Sequence, residues 1–507
     1  MYDEAVIKSK VCLCLTGKTL QENLDSLNKY RKYVDLAELR ADFLDKDDRL
    51  NIRRFPEMAG LPCILTIRRK IDGGNFVEGE ASRAMLFARG LAFAEADPSK
   101  NFAYVDFEED FYVPSLQDAA LAFGTRIIRS CHDINAYIPN IAAKITNMRV
   151  TGYEIAKISC AAKSLADVTD MFREAQKLQN SEHILCAMGP FGIPTRILSS
   201  YLGSYLTYTS PVEVNTQLQN LGHIDPKTLD EVYRFHDIDS NTKLFGISGF
   251  PLEKTASPQL HNGGYRTRGM NAVFIPVRAA NIKDALEFAE MLDMKGLSVT
   301  IPHKEEVLKY VSEKSEITKK IGACNTCVKT ADGWIGYNTD AVGIECALKE
   351  FMSVKNLRGI KTAIIGAGGA AKAVAYAVKK MKGNACIFNR TAIKAKKIAE
   401  LYGFKWAALD AESFKLLGKY SDLIIQATSK GMGSEGVSGH DNDPLMFYDF
   451  SGKEALYDVI YTPDVTPVMA RADAAGCRVS NGYSMLKYQG YEQFFLFTGE
   501  NYDSESK

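Results

Sequence analysis

The sequence predicts an α/β protein in two parts: an N-terminal (β/α)8 TIM barrel, then a two-domain α/β unit ending in a Rossmann dinucleotide-binding domain. Three observations predict it. Over the first 235 residues, eight short apolar runs alternate with helix-length amphipathic segments, as in a closed parallel barrel. A polar, turn-rich stretch, His236–Lys243 (HDIDSNTK), then interrupts the pattern. Far downstream, Lys361–Lys372 reads KTAIIGAGGAAK, an apolar run entering tight glycines and a helix start. A chain of 507 residues has room for two to four domains.

The eight runs are Val11–Leu15, Tyr33–Leu39, Cys63–Ile67, Ala103–Phe107, Arg126–Cys131, Glu154–Ser159, Ile184–Met188 and Tyr205–Tyr208. Asp225–Phe235 reads as the last barrel helix, opened by Asp225-Pro226. Residues 236–243 are the linker. A second strand–turn–helix pattern begins at Leu244 and runs to Gly343, and a helix over Val342–Phe351 leads to the glycine turn. The expected domains are therefore 1–235, 244–343 and 344–484, with 485–507 returning as a C-terminal helix and tail.

Composition narrows the function classes. The chain is 46% hydrophobic and 24% charged, and Lys+Arg equals Asp+Glu at 62 each. This balance gives no electrostatic case for nucleic acid or an anionic membrane surface, and no apolar run reaches membrane-span length. The start, MYDEAVIKSK, has no apolar signal core. The eleven cysteines read as reduced thiols, with a cytoplasmic location expected, or a plastid if a transit peptide has been removed. Cys324-Asn-Thr-Cys327 is a lone C-x-x-C without two further ligands at metal-site spacing, so no metal is expected.

The glycine turn carries the first chemistry. Gly366, Ala367, Gly368, Gly369 and Ala370 let the backbone approach a pyrophosphate, and the helix start offers free N–H groups. The next strand, Ala385–Phe388, ends in Asn389-Arg390-Thr391, with Lys394 a turn later. An acid usually stands there to bind the ribose hydroxyls of NAD. An arginine suits a 2′-phosphate, which points to NADP.

The barrel carries the second. Chemistry in such barrels collects at the C-terminal strand ends. There the sequence places Glu38 and Arg40, then Arg68 with Asp72-Gly73-Gly74, then His132, then Lys157, and finally Arg196. A lysine inside an apolar strand is costly unless paired or neutral. Burial and neighbouring arginines are expected to lower its pKa, freeing an amine for imine formation with a ketone. A histidine on the next strand would move protons alpha to that imine. Each residue alone has a bland reading, a salt-bridged lysine and a structural histidine. Together with several arginines facing one cavity, they call for a carboxylate substrate.

On these motifs (AELR, T-x-R with Asp72-Gly-Gly, S-x-H-D, IAK and MG…R), residues 11–220 resemble the type I 3-dehydroquinate dehydratases. The resemblance implies that Lys157 forms a Schiff base with dehydroquinate. His132 then takes the C2 proton and assists loss of the C1 hydroxyl, with Asp72 beside it, while Glu38, Arg40, Arg68 and Arg196 bind the substrate. Asp72 stands where the family commonly has Glu. The family's S-A-P-G-Q loop is matched to Glu213–Gln217, which makes Gln217 a substrate contact.

From Leu244 the chain resembles shikimate dehydrogenase. Thr255 and Ser257 precede Pro258, a hydroxyl-rich helix start suited to an anion, and Pro302 is read as opening a helix that points Thr300 and Lys304 into the cleft. The resemblance makes the anion the shikimate carboxylate and makes Lys304 and Asp340 the catalytic pair. Asn325, Tyr461 and Gln489 would bind substrate, and Gly482 and Met485 would lie at the nicotinamide. Ser298 and Gln426 stand where the family usually has Asn. The implied whole is a dehydratase fused to an NADP-dependent dehydrogenase, taking 3-dehydroquinate, 3-dehydroshikimate and shikimate, and working as a monomer. A quinate dehydrogenase half and a non-catalytic metabolite sensor are the alternatives.

Overall fold

The computed structural model describes residues 8–91, 97–178, 181–212, 218, 220–252, 255–433 and 441–503. All eight expected barrel strands form: β1 Lys10–Leu15, β2 Leu36–Arg40, β3 Cys63–Thr66, β4 Tyr104–Glu108, β5 Arg126–Asp133, β6 Ile155–Ala161, β7 His183–Met188 and β8 Leu206–Thr209. They pair in parallel in the order β7-β6-β5-β4-β3-β2-β1-β8, and a His183–Ser204 bridge joins the two ends.

Alternation along these strands sorts their residues into two cores. Leu13, Leu15, Ala37, Leu39, Leu65, Val105 and Phe107 face outward to the helices in one buried cluster. Cys12, Cys14, Leu36, Ile64, Tyr104, Ile128, Ile155 and Ile184 fill the barrel in another. The same period of two puts Glu38, Arg40, Asp106, Ser130, His132 and Lys157 on the inner face, above that apolar plug. The register sets Ser130 beside Lys157 and Thr66 beside Asp106.

Downstream, β9 Lys243–Gly249, β10 Ala272–Arg278, β11 Gly296–Val299, β12 Glu313–Lys314, β13 Thr326–Thr330 and β14 Gly333–Tyr337 form a mixed sheet, ordered β10-β9-β11-β13-β14-β12. The last sheet comprises β15 Lys361–Ile365, β16 Asn384–Asn389, β17 Lys405–Ala408, β18 Leu423–Gln426, β19 Ala455–Asp458 and β20 Arg478–Ser480. Its order, β17-β16-β15-β18-β19-β20, reverses direction beside β15, the switch point at which doubly wound sheets bind ligands. The helix Tyr483–Thr498 packs against the helices Asp340–Met352 and Ser257–Thr267.

By compactness the chain divides into two units, one of Met1–Leu244 with Asn271–Ala280 and Asp284–Asp293, the other of Phe245–Met270, Asn281–Lys283 and Met294–Lys507. Some local expectations need correction. The helix expected over Asp225–Phe235 spans Pro226–Glu231, with the Asp225 side chain capping Thr228 N. Pro302 opens no α-helix: it follows a cis Ile301-Pro302 bond into a turn, and a short 3-10 stretch begins at Glu306. His303, in that turn, is buried.

Candidate active sites

In the barrel, Lys157 is 4% exposed and its Nζ donates to Asp106 Oδ2 at 2.9 Å. The ammonium also lies 4.3 Å from the centre of the Tyr208 ring. Arg68 Nη2 reaches the same Asp106 oxygen at 2.8 Å, and its Nη1 reaches Glu108 Oε1 at 2.8 Å and Ser130 Oγ at 3.0 Å. Ser130 in turn donates to Asp106 Oδ1. Burial would raise the Asp106 pKa, but Arg68 and Lys157 outweigh it and hold the carboxylate far below its usual range. Glu38 accepts from Thr66 Oγ1 at 2.8 Å and from Cys14 Sγ at 3.1 Å.

The arginines are not all waiting for a substrate anion, as the sequence suggested. Arg40 grips Asp42 with two bonds of 2.9 and 2.8 Å, and Arg68 is neutralised by Asp106 and Glu108. Arg196 differs: it is 2% exposed, and its Nε has no hydrogen-bond partner.

His132 lines a cavity of about 350 Å³ with Arg69, Ile71, Asp72, Asp110, Asp133, Ile134 and Asn135. Its Nδ1 is buried and unpartnered. Burial, then the Arg68 and Lys157 cations, push the imidazole pKa well below its usual value, against the pull of Asp106. The expected Asp72 contact takes another form. Asp72 shares the cavity wall, but its carboxylate accepts from Arg69 Nε at 2.6 Å. A side chain one methylene shorter than Glu is held on its own 3-10 turn, Lys70–Asp72. Gln217 lies outside the described residues.

Asp42, Asp106, Glu108 and His223 escaped the sequence reading, and Ser130 entered it only as part of the S-x-H-D motif, without a role. The signal for two of them was present: β4 reads Tyr-Val-Asp-Phe-Glu, two acids spaced by two in a buried strand. The burial cost that singled out Lys157 applies to them equally.

In the downstream unit, Lys304 Nζ donates to Asp340 Oδ2 at 2.5 Å. Asn325 Nδ2 bonds Asp340 Oδ1 at 2.9 Å, Thr339 Oγ1 at 2.9 Å and Gln489 Oε1 at 3.3 Å. Lys304, Asp340, Asn325 and Gln489 thus form one hydrogen-bonded set, drawn from the turn after β11, the approach to β13, the Asp340–Met352 helix and the final helix. Ser298 is tied in through Gln493, whose Oε1 accepts its hydroxyl at 3.0 Å and whose Nε2 donates to Thr326 Oγ1 at 2.9 Å. Thr255 and Ser257 follow β9, and Thr300 follows the adjacent β11. Ser257 is buried at its helix start, and its amide donates to Thr255 Oγ1 at 3.3 Å. Tyr461 follows β19 and is half-buried. Cys324 and Cys327 are buried free thiols with sulfurs 3.7 Å apart.

The nucleotide turn fits a dinucleotide. Gly366 has φ +117°, and a Cβ there would stand 2.9 Å from the Ala427 carbonyl oxygen, so a side chain would close the cradle. Gly368 sits at the start of the helix Gly369–Lys380, with open space where a Cβ would be. A Cβ at Gly369 would lie 3.3 Å from Lys304 Cβ, so the turn runs directly beside that lysine. At the end of β16, Asn389 Nδ2 donates to the Thr391 carbonyl at 3.0 Å, and Arg390, Thr391 and Lys394 are exposed. Gly482 precedes the final helix, and Met485 is buried one turn in.

Family models match in the same order: "Type I 3-dehydroquinase" over residues 11–240, "Shikimate dehydrogenase substrate binding domain" over 247–327, and "Shikimate / quinate 5-dehydrogenase" over 345–433. The chloroplastic bifunctional 3-dehydroquinate dehydratase/shikimate dehydrogenase of Arabidopsis thaliana is 30% identical over 97% of this chain and 82% of its own length. The chain belongs to this bifunctional family. It is a fusion of a type I dehydroquinase with a shikimate dehydrogenase, a lyase and an NADP-dependent oxidoreductase of the shikimate pathway. The NADP(+) shikimate dehydrogenase of Pyrococcus furiosus is 37% identical over 53% of this chain and 94% of its own. A crystal structure of a shikimate dehydrogenase with NADP+ covers 52% of this chain and 93% of its own at 33% identity, with a TM-score of 0.47.

Proposed function

We propose that the two activities run on the two residue sets above: Lys157 with His132 in the barrel, Lys304 with Asp340 downstream. The barrel, residues 1–235, dehydrates 3-dehydroquinate. Proton loss from Lys157 to solvent frees the amine, which attacks the C3 ketone and expels water to form an imine. His132 takes the C2 proton, the electrons form the C1–C2 double bond, and the C1 hydroxyl takes that proton back from His132 and leaves as water. Hydrolysis of the imine releases 3-dehydroshikimate and restores Lys157. Glu38, Arg40, Arg68 and Arg196 orient the substrate, and Asp72 works from the cavity wall. The observation that carries this reading is the Lys157–Asp106–Arg68 cluster on the barrel's inner face, one strand from a histidine held neutral.

After the linker at 236–243, residues 244–343 with the returning helix of 485–507 bind 3-dehydroshikimate. Thr255 and Ser257 take its carboxylate, and Thr300, Asn325, Tyr461 and Gln489 take the ring substituents. Residues 344–484 hold NADP, with Gly366, Ala367, Gly368, Gly369 and Ala370 at the pyrophosphate and Asn389, Arg390, Thr391 and Lys394 at the 2′-phosphate. Gly482 and Met485 border the nicotinamide. Bound NADPH supplies the hydride. Lys304, oriented by Asp340, gives the carbonyl oxygen its proton, so the alcohol forms without a free alkoxide.

The chain acts on small molecules as a monomer in a reducing compartment, the cytoplasm or, for a chain whose transit peptide has been removed, a plastid. Among the described residues no helix is long and apolar enough to cross a membrane.

Borohydride reduction in the presence of 3-dehydroquinate tests the barrel reading. A stable adduct on Lys157, located by peptide mass, is expected; an adduct on another lysine, or none, would overturn it.

A further inference from the structure

The turn beyond the last barrel strand carries a histidine that the mechanism above does not use. Residues 220–224 lie at the ends of β7 and β8, and several bonds fix them there. Ile224 bridges Thr209, Ser210 N donates to the Ile224 carbonyl at 3.4 Å, and Gly189 N, just past β7, donates to the Leu221 carbonyl at 3.1 Å. Gly222 has φ +81°, and a Cβ there would stand 2.6 Å from the Gly189 carbonyl oxygen. His223 N closes the turn on the Leu218 carbonyl at 3.2 Å. A backbone pinned between two strand ends gives the His223 ring a defined position.

That ring presents one open atom. Its Nδ1 is buried without a hydrogen-bond partner. Burial first, then Arg196, with Arg40 and Lys157 also acting on the ring, push its pKa well below the usual value. The ring is therefore neutral, and a neutral ring protonated at Nε2 offers Nδ1 as an acceptor. Arg196 provides the complement. Its Nη2 reaches the Leu221 carbonyl of the same turn at 3.5 Å, and its Nε is a buried donor without a partner. An unsatisfied cationic donor and an unsatisfied ring nitrogen thus belong to two residues joined through one turn. A ligand that satisfies both must bring an anion and a hydroxyl close together.

We propose that His223 is a substrate-binding residue that accepts a hydrogen bond from the hydroxyl beside the carboxylate held by Arg196, and so selects the hydroxy acid over its dehydrated product. C1 of 3-dehydroquinate carries both groups. Dehydration removes that hydroxyl, so the product keeps its hold on Arg196 and loses its hold on His223. The bond that favours substrate entry is absent when product must leave. The assignment rests on the barrel being the dehydration centre.

The test uses the full chain without NADPH. The KM for 3-dehydroquinate and the Ki of 3-dehydroshikimate against dehydration are measured for the parent, His223→Ala and His223→Gln. Loss of one hydrogen bond predicts a KM rise of about tenfold in the alanine variant, with the product Ki unchanged within about twofold. Glutamine, whose amide oxygen also accepts, should recover most of the loss. KM and Ki rising together in the alanine variant, or neither moving, would overturn the selective role. Borohydride trapping on Lys157 in the same variant separates the two claims: an adduct retained alongside unmoved constants sinks the His223 assignment alone, and an adduct missing from the parent sinks the barrel reading beneath it.

Discussion

Asp106 holds two cations, Lys157 and Arg68, in a barrel interior where each of the three is at most 4% exposed. Removing one member of such a cluster leaves uncompensated buried charge, at a cost of about 3 to 5 kcal/mol. Asp106→Asn should lower the stability of the barrel by about that amount in chemical denaturation, and a loss under about 1 kcal/mol would contradict the pairing. His132 makes a second prediction at this scale. A base must be neutral to act, and burial with Arg68 and Lys157 pushes its pKa down, so protonation sets in only at lower pH. The acid limb of kcat/KM for dehydration should therefore fall below the usual histidine value of about 6.5; a limb above that value would contradict the assignment. Lys157 and His132 were legible because each is a polar residue interrupting an apolar run. Asp106 was equally conspicuous, yet its partnership with Lys157 was not readable. The two lie 51 positions apart on β4 and β6, and only barrel closure brings their side chains over the same plug.

Whole strands were easier to read than their ends. The eight barrel strands and the glycine turn sit where the apolar runs put them, because alternation and tight glycines are local signals. Pro302 misled for the opposite reason: proline suits both the first turn of a helix and a sharp bend, and the choice is made by the packing around it. The turn after β15 gives the prediction at this scale. Gly368 has a negative φ, −88°, and free space around its Cβ position, so alanine there fits the fold. In the proposed reading, that space is where the pyrophosphate approaches the helix start. Gly368→Ala should raise the KM for NADPH about tenfold or more, with dehydration unaffected. An unchanged KM in steady-state kinetics would mean that the cofactor does not enter there.

The molecule joins two chemistries that share an intermediate, the ketone made in the barrel and reduced downstream. The order of the two halves was legible because each carries its own dense set of local motifs. The grouping of 271–280 and 284–293 with the barrel was not, since it depends on contacts between segments far apart in sequence. If each half holds its whole catalytic set, damage to one centre leaves the other working. The most direct measurement is Lys157→Ala in the full chain, with dehydration of 3-dehydroquinate and NADPH-dependent reduction of 3-dehydroshikimate assayed separately. The account predicts that dehydration is abolished and reduction proceeds at the parent rate; dehydration that survives, or reduction lost with it, would contradict it.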